Sequence, residues 1–507
     1  MRTGAVRPRE LLTLGLILCG WFVVRWPFRA ALLVRDEGEY AHLGQQILDG
    51  AIPYLEIYNQ KTPFTFYLMA AVQALFGEGL VALRLATTVY GMATAVLVYF
   101  LARRLASAGA APWAVLGLGV LTFSHAGVLY QASTEFFMLG WIAAGLLFVF
   151  GRGEKPPLWR LIAAGVCAGL AYQTKQSAMA FVLFLLLERL LRGVSRNALR
   201  GALAIAAGFV LVQAGVLLYF AAAGGLGAYV ECTWTNNVQY VGARQTGLGG
   251  FATLLRSVAT SVLGRDTALW GLGAAGLMWL GLRSNSVGAR RLWLLPLALL
   301  AMALSAGPYA HYYMPLYVPL AVGLGVVCSG LVSRITSPSG GWRRVGWFAI
   351  LIAAWIWPGY HVIRTCTQPQ RSLDTRYRTV EPAEASPAVA DYLATHTEEG
   401  ESILVIGSEP QIYYYADRPA ASRMVFTYPM TGPYTFAPAL RAAYLQALEE
   451  SGPRYVLVVG WSRSISEYPA LGRRFMDSTQ QILAAHYDID AQPDPGLVVY
   501  RRREARD

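Results

Sequence analysis

With 507 residues, 55% of them hydrophobic and only 14% charged, the chain reads as a polytopic membrane protein and not a soluble one. The net charge of +12 does not mark a nucleic-acid binder. Most of the excess falls in short basic loops between apolar runs, where it faces anionic lipid, and no zinc-finger spacing or aromatic-basic surface accompanies it.

In chain order, apolar runs predict about eleven transmembrane helices, near 11–28, 82–102, 112–131, 136–151, 159–173, 177–191, 201–222, 268–282, 292–308, 312–333 and 345–360. Arg2, Arg7 and Arg9 precede the first, which places the amino terminus in the cytoplasm. Alternate loops then carry Arg103-Arg104, Arg152 with Lys155 and Arg160, Arg189 to Arg200, Arg283 with Arg290-Arg291, and Arg334 with Arg343-Arg344. The intervening loops around Ser133 and Gly307 carry no Lys or Arg, and the one near Gln173 carries only Lys175. That alternation orients the odd-numbered spans outward and makes 63–79, with Phe64, Phe66, Tyr67 and Met69, a helix lying on the membrane surface. The basic-then-apolar start reads as a retained anchor, because Ala30-Ala31 is a poor cleavage site.

The membrane domain is expected over 1–362, with outer loops at 29–81 and 223–265; the second holds Tyr229, Trp234, Asn236, Asn237, Tyr240 and Arg244. A linker at 363–386 leads to a soluble extracytoplasmic α/β domain at 387–507. There, Ser386-Pro387 reads as an N-cap and a helix-starting proline for a helix over 388–396. Strands are expected at Ser402–Ile406, Tyr455–Val459 and Leu497–Tyr500, and a helix over 436–450. Gly407-Ser408 reads as an ordinary loop, since one glycine is not a phosphate fingerprint. Cys19, Cys167 and Cys328 fall within spans, whereas Cys232 and Cys366 both fall outside, which permits but does not demand a disulfide.

Polar residues then recur at the outer ends of the spans. Asp36 opens Asp-Glu-Gly-Glu-Tyr, where it serves either as a helix cap, boxed with Glu39 and followed by an apolar stripe up to Gly50, or as a general base taking a proton from an acceptor hydroxyl. Lys61 precedes the surface helix as a headgroup anchor or as a cation for a phosphate leaving group. Lys175 sits at an outer helix end, where the charge rule disfavours lysine. Glu135 suits a helix N-terminus, and also the binding of sugar hydroxyls or a metal. His311 and Tyr312 open another span, and Arg84 stands at the start of the second as a phosphate contact or an interfacial charge.

Taken in order, Asp36-Glu37-x-x-Tyr40, Tyr58-Asn59-Gln60-Lys61-Thr62-Pro63, Arg84-Leu85, Thr134-Glu135, Thr174-Lys175-Gln176 and His311-Tyr312-Tyr313 resemble glycosyltransferase family 39. This family of GT-C fold holds the protein O-mannosyltransferases and the lipid A aminoarabinose transferases, and the resemblance, to a bacterial member, covers roughly 30–335. It implies an inverting transferase of the plasma or inner membrane, with an outward-facing site and a polyprenyl-phosphate sugar as donor. The acceptor is a hydroxyl of a lipid, glycan or protein. By the same resemblance Asp36 is the catalytic carboxylate, and Lys61 and Lys175 hold the donor phosphate; the residues themselves add Arg84 as a further phosphate contact, and Glu37, Glu135, Tyr40, His311 and Tyr312 as contacts for the sugar, the acceptor or, at Glu135, a metal. No cofactor is demanded, because phosphate is already a good leaving group. The chain departs from the family pattern at Thr62-Pro63-Phe64, at Gln176, in having glutamate at 135, and in a tail unlike the eukaryotic protein-modifying type. A transporter or flippase of a lipid-linked sugar, or a non-catalytic membrane protein with a binding tail, are the competing readings. The first calls for charges at mid-membrane depth on broken helices, whereas here they stand at span ends.

Overall fold

The computed structural model describes residues 6–124, 132–150, 156–193, 195–244, 252, 256, 267–284, 291–306, 310–337, 341–368, 383–460 and 462–504. Much of the expected loop 223–265 and of the linker 363–386 lies outside the described residues, as do Lys155 and Arg290.

As far as their residues are described, the eleven apolar runs fall on helices or pairs of abutting helices, from Pro8–Arg25 to Arg343–Thr367. Among the described residues five are long and apolar enough to cross a membrane by length and composition: Pro8–Phe28, Leu80–Leu105, Arg196–Ala222, His311–Thr336 and Arg343–Thr367. Thr134–Val149 is one of the shorter apolar helices, as is the expected surface segment, Phe64–Phe76. The chain forms two compact units.

The first unit comprises Met1–Ala30, Arg84–Leu218 and Arg244–Pro369. Its helices approach each other at glycines. A Cβ on Gly165 would stand 2.0 Å from the carbonyl oxygen of Ile205, and one on Gly276 would stand 1.9 Å from that of Gly323. Only hydrogen fits there, the means by which apolar helices gain van der Waals contact where lipid offers no hydrophobic drive.

The second unit gathers Ala31–Leu83, Tyr219–Ala243 and Gln370–Asp507. Its sheet has the order β1-β2-β4-β3, with β1 Leu404–Ile406, β2 Tyr455–Val459, β3 Tyr487–Asp494 and β4 Leu497–Arg502. β1 and β2 are parallel, and the other pairs antiparallel. The three expected strands are present, and β2 is buried throughout, as its unbroken Tyr-Val-Leu-Val-Val run requires. β3 was not expected: its burial is that of an exposed edge strand rich in Asp, with no apolar run to read. Helices Ser386–His396, Ala437–Ser451 and Pro469–His486 accompany the sheet. The N-cap of the first is Ala385, not Ser386, whose hydroxyl instead accepts a hydrogen bond from Gln411 Nε2 at 3.3 Å. Cys232 and Cys366 are both free thiols, so the permitted disulfide is not formed.

Candidate active site

The polar residues singled out in the sequence fall into two clusters, one in each unit. In the second unit, helix Arg35–Leu48 begins one residue before Asp36, with Val34 as N-cap. The Glu37 carboxylate accepts from the Val34 amide at 3.5 Å. Capping therefore falls to Glu37, which is buried, and not to an Asp36–Glu39 box. Gly50 takes φ +98° just past the helix end, as a terminating glycine does.

Relieved of capping, Asp36 and Glu39 stand on one helical face with Tyr40. Lys61 Nζ lies 3.5 Å from Asp36 Oδ2 and 3.5 Å from Glu39 Oε2, and 4.7 Å from the centre of the Tyr40 ring. The two acids differ in access: the Asp36 side chain is 44% exposed and that of Glu39 only 5%. Burial drives the Glu39 carboxyl up to about 7, with Lys61 pulling against it and Asp36 adding to it. Burial also works to lower the pKa of Lys61, but Asp36, Tyr40 and Glu39 outweigh it and hold the ammonium well above its ordinary value.

The loop that brings Lys61 here is fixed by its backbone. Asn59 Oδ1 accepts from the Lys61 amide at 2.8 Å, and the Tyr54 hydroxyl donates to the Lys61 carbonyl at 2.8 Å. Tyr54 has φ +74°, a conformation uncommon outside glycine. It is held there by burial between Phe66, Phe220 and Tyr229, the last stacked on Phe220 at 4.8 Å. Tyr229 precedes a π-helical turn, Glu231–Asn236, so part of the expected outer loop is the wall behind Lys61's support.

In the first unit, Glu135 opens helix Thr134–Val149, whose N-cap Ser133 accepts from the Phe136 amide at 3.2 Å. The Glu135 carboxylate pairs with Lys175 Nζ, accepts from Thr134 Oγ1 at 3.0 Å, and lies 4.0 Å from His311 Nε2. Lys175 follows helix Leu158–Thr174 in extended conformation and sits 3.7 Å over the Tyr312 ring. His311 packs edge-on to Tyr312 at 4.7 Å. Arg84 is buried in helix Leu80–Leu105 of this unit. Among the described residues no group of three or more His, Cys, Asp or Glu stands close enough to hold a metal ion.

Residues 60–220 match the family model described as dolichyl-phosphate-mannose-protein mannosyltransferase. The structure is similar to ArnT from Cupriavidus metallidurans bound to undecaprenyl phosphate, at 15% identity over 98% of each chain with a TM-score of 0.61. It is also similar to the oligosaccharyltransferase AglB from Archaeoglobus fulgidus in complex with an inhibitory peptide and a dolichol-phosphate. There the identity is 14%, the coverage 89% of this chain and 69% of that one, and the TM-score 0.54. The chain has the GT-C glycosyltransferase fold. No curated protein sequence matches it. Within this GT-C chain the matched stretch contains Lys61, Arg84, Glu135 and Lys175, while Asp36 and His311 lie outside it.

Sequence reasoning overlooked Glu39 as more than a cap partner, and Tyr54 altogether. One unused signal was the scarcity of lysine: of 42 Lys and Arg only three are lysine, at 61, 155 and 175. Two of the three therefore lie in the clusters, in a chain that elsewhere uses arginine for positive charge.

Proposed function

We propose that this protein is a membrane glycosyltransferase that moves a sugar from a polyprenyl-phosphate donor to an acceptor hydroxyl on the extracytoplasmic face, with Asp36 as general base. The observation that carries this reading is the pairing of an accessible carboxylate, Asp36, with the Lys61 ammonium 3.5 Å away. In the transfer the bond between the anomeric carbon and the phosphate oxygen breaks as the bond to the acceptor oxygen forms. The acceptor proton passes to the Asp36 carboxylate, and the polyprenyl phosphate leaves with the electron pair. Both events need a charge partner at the moment they occur, and a fixed ammonium beside the base supplies it for the phosphate without solvent reorganisation.

In this reading Lys61 is the first phosphate ligand, and Lys175 and Arg84 are further cations for the donor. Glu135, His311, Tyr312 and Tyr40 contact sugar or acceptor hydroxyls. Glu37 has a smaller part, since its carboxylate is engaged at the helix start. The family match over 60–220 and the GT-C fold support this chemistry over transport, as does the placing of Glu135 at a helix start and Lys175 at a helix end.

The test is lipid and glycan profiling of a deletion strain complemented with wild type or Asp36→Asn. A polyprenyl-phosphate sugar should accumulate, and one glycan should vanish, in the deletion and with Asp36→Asn alike. Full restoration by Asp36→Asn would reject the catalytic assignment.

A further inference from the structure

We infer that Glu409 and Arg423 of the C-terminal α/β layer are positioning residues that set the geometry of the Asp36–Lys61 pair; this rests on the proposed reading of that pair. Helix Arg35–Leu48 has two opposed faces. Asp36, Glu39 and Tyr40 share one, and Arg35, Gly38, His42 and Gln45, spaced by three or four residues, share the other.

The second face is docked on the loop and helix that follow β1. Arg35 donates from Nε to the Ser408 carbonyl, from Nη1 to the Tyr428 hydroxyl at 2.5 Å, and from Nη2 to Glu409 Oε1 at 3.0 Å. Its guanidinium also lies over the Tyr428 ring at 4.9 Å. Glu409 is fully buried, and its other oxygen accepts from the Ser408 amide at 2.7 Å, so the carboxylate cannot swing away from Arg35. One turn on, Gly38 lies against the backbone of Gln411 so closely that a Cβ would come within 2.5 Å of it. His42 stacks on Tyr413 at 5.2 Å, and Gln45 Nε2 donates to the Tyr414 carbonyl at 3.4 Å.

Lys61 is tied to the same layer by a separate route. Arg423 Nη2 donates to the Tyr54 carbonyl at 3.0 Å, and the Arg423 carbonyl accepts from the Tyr58 amide at 2.7 Å. Tyr54 in turn holds the Lys61 carbonyl. The helix bearing Asp36 and the loop bearing Lys61 are thus both tied to the same α/β layer, through Arg35–Glu409 and through Tyr54–Arg423. A catalytic pair must be held to within about half an ångström, and a shared scaffold does this better than two independent loops.

The scarcity of lysine makes this directly measurable. Acylation by N-hydroxysuccinimide acetate consumes the neutral amine, so a lysine held between two carboxylates reacts slowly. The full-length protein in detergent micelles is acylated briefly and the labelling of Lys61 relative to Lys175 is read by peptide mass spectrometry. Glu409→Gln and Arg423→Gln should each raise that ratio several-fold, while hydrogen exchange of the β2 amides stays at the wild-type level. An unchanged ratio with β2 intact would overturn the inference. Where Glu409→Gln loses β2 protection, Arg35→Lys decides instead: it keeps the charge but cannot reach three acceptors at once, and an unchanged ratio there is equally fatal. Because the labelling reads the surroundings of the Lys61 amine and not sugar transfer, it stands apart from the glycan profile of Asp36→Asn, whose failure would remove the transferase reading and leave the coupling untouched.

Discussion

One ammonium serves two carboxylates: Lys61 Nζ is as near to the buried Glu39 as to the accessible Asp36, 3.5 Å in each case. If both acids were ionised, the cluster would carry a net negative charge, repelling the phosphate that Lys61 is proposed to hold. A neutral Glu39 leaves a balanced Asp36–Lys61 pair, and burial of Glu39 favours that state.

The first consequence concerns Lys61 itself. Lys61→Met should lower transfer by roughly 10²–10³-fold, the cost typical of removing a charge-stabilising donor. Lys61→Arg should recover part of that, because the charge is kept while the fork geometry differs from a point charge. Product formation in membranes from the complemented deletion strain measures both.

Glu39 gives the pair a pH dependence. Its carboxyl is raised to about 7 in the folded protein, so between the unfolded value near 4.5 and about 7 the folded state holds the extra proton. Stability contributed by the neutral form is complete below the unfolded pKa and is lost as the pH rises through about 7. The loss is on the order of 3 kcal/mol, at about 1.4 kcal/mol per pKa unit. In thermal unfolding of the full-length protein in detergent, the wild-type midpoint should therefore fall relative to that of Glu39→Gln as the pH is raised from about 5 to about 7.5. An equal slope in the variant would assign the titration to another group. His42, on the opposite helical face, works the other way: burial lowers its pKa to about 4, so below the unfolded value of 6.5 the unfolded state holds a proton that the folded state lacks, and the comparison with Glu39→Gln isolates the Glu39 contribution from it.

The apolar runs made the membrane helices legible, since a helix in lipid must announce itself by some twenty apolar residues. Asp36, Lys61, Glu135 and Lys175 could be singled out because acids and lysines are scarce at the expected outer span ends. What could not be read was their support. Glu409 lies 374 positions from Arg35, and no local pattern marks it. Glu39 looked like a capping partner because Asp36-x-x-Glu39 has capping spacing, and Glu37 won the role because the helix starts one residue early, at Arg35. Edge strand β3 was missed for want of an apolar face, and Tyr54 because a positive φ leaves no trace in composition.

Gly38 separates intrinsic helix preference from docking. In a free helix Gly38→Ala would gain about 1 kcal/mol. Here the new Cβ would meet the Cβ, Cα and nitrogen of Gln411 at 2.4–2.5 Å, and backbone cannot yield as a flexible side-chain end can. The expected net result is a loss of about 1–3 kcal/mol, as overpacking costs. It should appear as a lower unfolding midpoint together with faster hydrogen exchange across residues 35–48. A stabilised variant would mean that this helix face is not docked as described.

Glu135 and Lys175 test whether the cluster in the membrane unit is structural or functional. Their side chains are 3% and 13% exposed, so removing one partner strands the other charge away from water. Glu135→Gln should cost about 3–5 kcal/mol, the usual penalty for breaking a buried pair from one side. Lys175→Gln should cost a similar amount. The double variant Glu135→Gln/Lys175→Gln removes both charges together, and most of the stability should return, because two amides can hydrogen-bond where two unpaired ions could not. If the pair only holds helices together, transfer should return with stability. If Lys175 is a donor-phosphate ligand, the double variant should unfold near the wild-type temperature and still fail to transfer sugar. Unfolding midpoints and product yields on the same four proteins decide between these outcomes.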